Sequence, residues 1–147
     1  MPEKDIHPGI RFQVQHTSLA LKNRKRLKAF IAHIFKKEKT PLHSLSFIFC
    51  TDDFLLDINK KFLQHNYYTD IITFNLSGKW TPVEGEIYIS LDRVKENAKT
   101  LNQFYYQELH QVVFHGVLHL CGYKDKSGKE ISTMRKKENE YLQAYFK

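Results

Sequence analysis

The stretch HGVLHLCGYKD, residues 115–125, carries the reading of the whole chain. His115 and His119 lie four apart in a segment whose apolar residues recur at helical spacing. At about 100° per residue they point within about 40° of each other, one turn apart, so two imidazoles can meet on one ion. Gly122 follows three residues after His119, and Asp125 three after that. A glycine there ends a helix by adopting a left-handed conformation, and the reversal brings Asp125 to the open side of the histidines. The pattern H-x-x-x-H-x-x-G-x-x-D offers two nitrogens and one oxygen and leaves a fourth position for water. That donor set suits a catalytic rather than a structural site; the expected metal is zinc, one ion per chain, or another divalent ion in its place. In H-E-x-x-H peptidases a Glu beside the first histidine moves the proton. Here Gly116 stands there, which argues against a peptidase.

Outward from this stretch, residues 106–122 read as a helix, with further helices at 92–101 and 129–146. IRFQVQ (10–15) alternates as a half-buried strand, GEIYISL (85–91) alternates cleanly as a strand, and IITFNLS (71–77) reads as a strand too. SLSFIFCT (44–51) is more continuously apolar and is expected at the centre of the sheet. Thr17-Ser18 is expected to cap a long helix ending near Lys39, stopped by Pro41, with Leu21, Leu27, Phe30, Ile31, Ile34 and Phe35 in its apolar stripe. Asp52-Asp53 is expected to cap a short helix through Phe62. The order β-α-β-α-β-β-α-α-α predicts an α/β, α+β-like fold: a small mixed four-stranded sheet with a parallel start and an antiparallel pair. About five helices cover it, and the metal site sits at the end of one of them.

The 147 residues, 41% hydrophobic and 14% aromatic, fit a single domain spanning 1–147. No apolar run is long enough to span a membrane, and MPEKDIHPGIRF lacks the hydrophobic core of a signal peptide. Two cysteines, Cys50 and Cys121, cannot build a disulfide framework. A cytoplasmic protein without a membrane partner is expected. The net charge of +7 favours a polyanionic partner. Candidate RNA contacts are the basic face of the first helix, Lys124, Lys126 and Lys129 beside the metal motif, and Tyr67, Tyr68 and Tyr123 as stacking surfaces. His110 lies about 140° round the helix from His115 and reads as a packed or partly exposed histidine rather than a ligand. His65 is a loop residue within possible reach of the site, and Glu86 faces either solvent or the groove.

The segment HGVLHLCGYKD resembles the H-G-x-L-H-L-x-G-Y-D-H signature of the YbeY family of endoribonucleases and rRNA maturation factors. NKKFLQHNYYTD (59–70) is similar to that family's N-x-x-Y/F-x-x-x-D-x-P-T-D segment, GEIYIS (85–90) to its G-D/E-I-x-I-S/C strand, and Met134 with Glu138 to its closing helix. The resemblance covers about residues 50–140. It implies a small-sheet α/β fold, a bacterial cytosolic setting, single-stranded rRNA as substrate and a role in ribosome biogenesis, with Thr69 and Asp70 bordering the active-site groove. A ribosomal subunit or ribosomal protein is a further expected partner. Two departures from the family pattern matter: Asp125 replaces the third ligand, usually histidine, with Lys124 in place of the aspartate that usually precedes it, and Leu63 stands where an arginine is usual. The catalytic group itself is not named by the pattern; Asp70 and Lys124 are the candidates. The alternative is a non-catalytic ribosome-assembly factor that binds rRNA or a ribosomal protein and uses the metal structurally.

Overall fold

Four strands form one sheet in the order β1-β2-β4-β3: β1 (Ile10–Gln15), β2 (Leu42–Cys50), β3 (Ile71–Asn75) and β4 (Val83–Ser90). A computed structural model of the chain describes residues 9–19 and 21–147; most of the opening MPEKDIHPGIRF lies outside them. β1 and β2 are parallel, as are β2 and β4, while β3 runs antiparallel to β4. The apolar strand β2 is interior, paired on both edges, as the sequence pattern predicts, and β1 and β3 are the edges. Five helices follow the expected order: α1 (Arg24–Lys37), α2 (Asp52–Leu63), α3 (Leu91–Thr100), α4 (Tyr105–Leu120) and α5 (Gly128–Tyr145).

Period-two alternation splits the sheet into two faces. Phe47, Phe49, Ile87 and Ile89 enter the main core with α1, α3, α4 and α5, whereas Cys50 and Ile72 meet Leu55 of α2 on the other side. Each fully buried side chain of this size contributes about 1.5–3 kcal/mol relative to exposure. Helix α4 is the central one. Leu109, Val112, Val113, Phe114, Val117 and Leu118 are all buried, leaving one half-exposed stripe that carries His115 and His119. A Cβ on Gly116 would come within 2.9 Å of both Ile71 Cδ1 and Ile87 Cδ1. The helix therefore lies close against β3 and β4, where a larger residue would force Ile71 and Ile87 to shift, and this sets His115 beside the start of β3.

Two helix starts differ from the expectation. α1 begins at Arg24, not after Thr17-Ser18, with Asn23 in a left-handed conformation before it. The chain turns at His16 (φ 61°), and Leu19 and Leu21, two apart, both reach the core. Both leucines precede the helix, and the helical stripe takes over at Leu27. α2 is capped by Thr51, whose hydroxyl accepts from the Phe54 amide at 3.2 Å. Asp52 is thereby free to accept from the Ser90 hydroxyl at 2.8 Å and from Arg93 at 2.7 Å.

Candidate metal centre

Helix α4 ends in a Schellman turn. The Gly122 amide donates to the His119 carbonyl and the Tyr123 amide to the Leu118 carbonyl, both at 3.0 Å, with Gly122 at a φ of 102°. This turn folds the chain back so that Asp125 faces the two histidines. His115 Nε2 and His119 Nε2 lie 3.0 Å apart, and Asp125 Oδ2 lies 3.3 Å and 3.2 Å from them respectively. Among the described residues, these three side chains form the group of His, Cys, Asp or Glu that can hold a metal ion.

The other ring nitrogens decide what occupies the space between them. His119 Nδ1 lies 2.9 Å from the Tyr123 carbonyl, which can only accept, so the proton sits on Nδ1 and Nε2 presents its lone pair. His115 Nδ1 lies 2.7 Å from Glu138 Oε2, and the same assignment follows. With neutral rings, two lone pairs and a carboxylate oxygen converge at contact distance with no donor among them. Only a positive charge stabilises that arrangement. Burial opposes charging of His115, but the hydrogen bond and charge of Glu138, with Asp125 and Asp70, raise its pKa above the ordinary value. Zinc binds imidazole and carboxylate at about 2.0–2.2 Å, which separates tetrahedral donors by about 3.3 Å, so the donor set fits a divalent ion.

Glu138 is the residue that the sequence reading undervalued. It is buried, accepts from Gln111 Nε2 at 2.9 Å as well as from His115, and thereby fixes the ring that α4 offers. Its signal was present: with Met134, Tyr141, Leu142 and Tyr145 it belongs to the buried stripe of α5, where an acid needs a partner. Tyr123 is held in its turn. Its hydroxyl donates to Glu38 Oε1 at 2.6 Å, and Glu38 also accepts from Tyr141 and lies 3.6 Å from Lys137 Nζ. Burial works against ionisation of Glu38, but the two tyrosine hydroxyls and Lys137 outweigh it and hold the carboxyl below its usual range.

The three candidate ligands line a groove of about 700 Å³, whose opposite wall is β3 with the connection that precedes it. Asp70 sits in this wall near His115 and also borders a second depression of about 540 Å³, reached past His115 and Asp125. Asn97 Nδ2 donates to Asp70 Oδ2 at 3.2 Å, and burial pushes the Asp70 carboxyl up despite the opposing effect of His115. Of the lysines following the motif, Lys126 lines the groove. Lys124 lies with Tyr123, Lys129 and Glu130 around a separate depression. Thr69, Leu63, His65 and Tyr67 also line the groove. His110 is fully buried, donates from Nδ1 to the Tyr106 carbonyl at 2.7 Å and stacks on Tyr145, a packed histidine and not a ligand, as the spacing predicts. Glu86 lies outside the groove, accepting from Tyr88 on the α2 side of the sheet. On the basic helix, Arg26 lies over Tyr145 and Lys37 over Tyr141, so part of that face is packing against α5.

The family described as Endoribonuclease YbeY matches residues 10–146, from the first residue of β1 to the end of α5. The chain belongs to the YbeY family. The endoribonuclease YbeY of Cytophaga hutchinsonii is 47% identical over 131 residues, which covers 89% of this chain and 92% of that one. The YbeY of Amoebophilus asiaticus is 42% identical over 144 residues, 98% of this chain and 95% of that one. Among solved structures, the solution structure of a Thermotoga maritima protein aligns with a TM-score of 0.65 at 31% identity, covering 93% of this chain and 89% of that one. Among the described residues, no helix of this YbeY member is long and apolar enough to cross a membrane.

Proposed function

We propose that this chain is a metal-dependent endoribonuclease that cleaves unpaired segments of rRNA during ribosome biogenesis in the cytoplasm, acting as one domain over residues 1–147. The observation that carries the reading is the convergence of His115 Nε2, His119 Nε2 and Asp125 Oδ2, with both Nδ1 atoms already engaged, at the wall of an open groove. These three residues would hold the ion, and two imidazoles with one carboxylate favour zinc over magnesium or calcium. When bound, the ion supplies Lewis-acid activation of water and neutralises phosphoryl charge.

The chain's own residues do the rest. Glu138 and the Tyr123 carbonyl keep the imidazoles in the ligating tautomer. Asp70, in the facing wall, takes up the proton released from the attacking water at a carboxylate oxygen. Lys126 holds a phosphate at the rim, while Lys124 borders the separate depression with Tyr123 and Glu130. Leu63 makes its part of the wall apolar, so no guanidinium fork grips the phosphate there.

The test compares metal content and cleavage of ribosomal RNA for wild type, His119→Ala and Asp70→Asn. Wild type is expected to bind zinc and cleave, His119→Ala to lose both, and Asp70→Asn to keep the metal and lose cleavage. Metal-free wild type that cleaves undiminished overturns the mechanism. One observation, Leu63 in the groove wall, favours a second reading: an assembly factor that contacts rRNA or a ribosomal protein of the subunit, with the metal as a structural brace. That reading requires metal and RNA binding with no turnover.

A further inference from the structure

Three tyrosines were candidates for stacking on RNA bases, and the structure separates them. Tyr123 has its hydroxyl bound to Glu38 and its ring packed against the main core. Tyr68 has the Arg93 guanidinium 5.4 Å above its ring and its hydroxyl directed to Asp53 at 3.3 Å. Tyr67 alone of the three lines the groove that holds the candidate metal ligands, with 56% of its surface exposed.

The Tyr67 ring is also held in place. His65 stacks against one side of it, centroids 5.1 Å apart and planes 20° from parallel, and His65 Nδ1 lies 2.9 Å from the Tyr67 hydroxyl. Beneath the pair is Asn59, 99% buried. Its Nδ2 donates to the Tyr67 carbonyl at 2.9 Å, and its backbone carbonyl accepts from the His65 amide at 3.2 Å. Gln64, in a left-handed conformation, turns the chain so that one asparagine can serve both. A buried polar side chain committed to a loop in this way fixes the aromatic pair before any ligand arrives, so less ordering cost falls on binding.

We propose that Tyr67, backed by His65, is a stacking platform for one unpaired RNA base, positioned so that the attached strand runs along the groove to the metal ligands. The inference rests on the endoribonuclease reading and adds to it a specificity element. A base paired in a helix has its faces covered by its neighbours, so the platform selects single-stranded RNA without reading sequence. Every base has a π-face, which makes the contact tolerant of base identity. Lys126, across the groove, supplies the backbone charge for the same strand. No atom of the platform enters the reaction; it is a binding and positioning element.

The experiment measures binding of a fluorescently labelled unpaired oligoribonucleotide, and of the same strand in a duplex, to the zinc-loaded protein. Tyr67→Ala is expected to weaken binding of the unpaired strand about 5- to 100-fold, with zinc content unchanged. Tyr67→Trp is expected to restore it, because an aromatic face rather than a hydroxyl is needed. Trp80→Ala, which removes a 90% exposed ring outside the groove, serves as the control and is expected to bind as wild type does. A strand scanned with single abasic positions is expected to lose affinity at one position with wild type, and at none with Tyr67→Ala. Tyr67→Ala binding that equals wild type, or an equal loss in Trp80→Ala, overturns the platform. Failure of wild type to bind unpaired RNA at all would instead overturn the endoribonuclease reading beneath it.

Discussion

Replacing Glu138 by glutamine isolates the part of the metal centre that lies behind the ligands. In the native chain His115 Nδ1 sits 2.7 Å from Glu138 Oε2, while Glu138 Oε1 accepts from Gln111 Nε2 at 2.9 Å, and only 7% of the Glu138 side chain is exposed. A hydrogen bond to a charged acceptor is worth about 1.5–3 kcal/mol and a neutral one about 0.5–1.5 kcal/mol, so loss of the charge costs about 1–1.5 kcal/mol at this contact. Glutamine also has one acceptor where two are used. If its oxygen serves His115, its amide nitrogen meets the Gln111 donor, and the Gln111 amide must turn over. The sum corresponds to about a tenfold loss of zinc affinity, at the low end of the 10–100-fold typical of partners behind a ligating histidine. Competition against a chromophoric zinc chelator at constant pH reads this directly, with a thermal melt of the metal-free protein as the control for folding. Zinc affinity within twofold of wild type, in a variant that melts normally, would refute the assignment of Glu138 as the group that orients His115.

The remaining predictions concern packing, pH and substrate charge. Gly116→Ala forces its Cβ against Ile71 and Ile87 at 2.9 Å, so a loss of about 1–3 kcal/mol is expected in denaturant unfolding, with zinc affinity falling as α4 lifts from the sheet. Glu38 is held below its usual pKa by Tyr123, Tyr141 and Lys137 against the opposing effect of burial. Its stabilisation is therefore complete above the unfolded carboxyl value of 4.5 and disappears as the pH falls through the lower folded value. Glu38→Gln is accordingly expected to be less stable than wild type at neutral pH, with the two stability curves converging in acid; parallel curves across that range would contradict this. Lys126→Ala is expected to reduce the slope of log affinity for unpaired RNA against log salt by about one, and Lys124→Ala to leave it unchanged.

How far the sequence reveals this protein depends on how local each feature is. The pairing of His115 with His119 follows from helix geometry alone, and Gly122 marks the reversal that brings Asp125 back, so the ligand cluster is legible within eleven residues. Strand alternation in IRFQVQ and GEIYIS likewise marks two strands, and the unbroken apolar run of SLSFIFC an interior one. Features that depend on contact across the fold do not. Leu21 extends the apparent stripe of α1 toward its N-terminus, yet it reaches the core from the segment before Arg24, where the helix begins. The choice between Lys124 and Lys126 rests on the path of one loop after Gly122. Glu138 is 23 residues from the histidine it orients, and only the docking of α5 on α4 joins them. Asn59 matches the family segment, but its task of holding His65 and Tyr67 together appears only once the loop has closed over it.

The central claim, that three side chains at the end of α4 hold one cation, is tested most directly by an anomalous-difference map of zinc-loaded crystals collected at the zinc edge. The account predicts a peak bonded to His115 Nε2, His119 Nε2 and the Asp125 carboxylate at about 2.0–2.2 Å. An empty site under saturating zinc, or a peak at some other group of side chains, would contradict it.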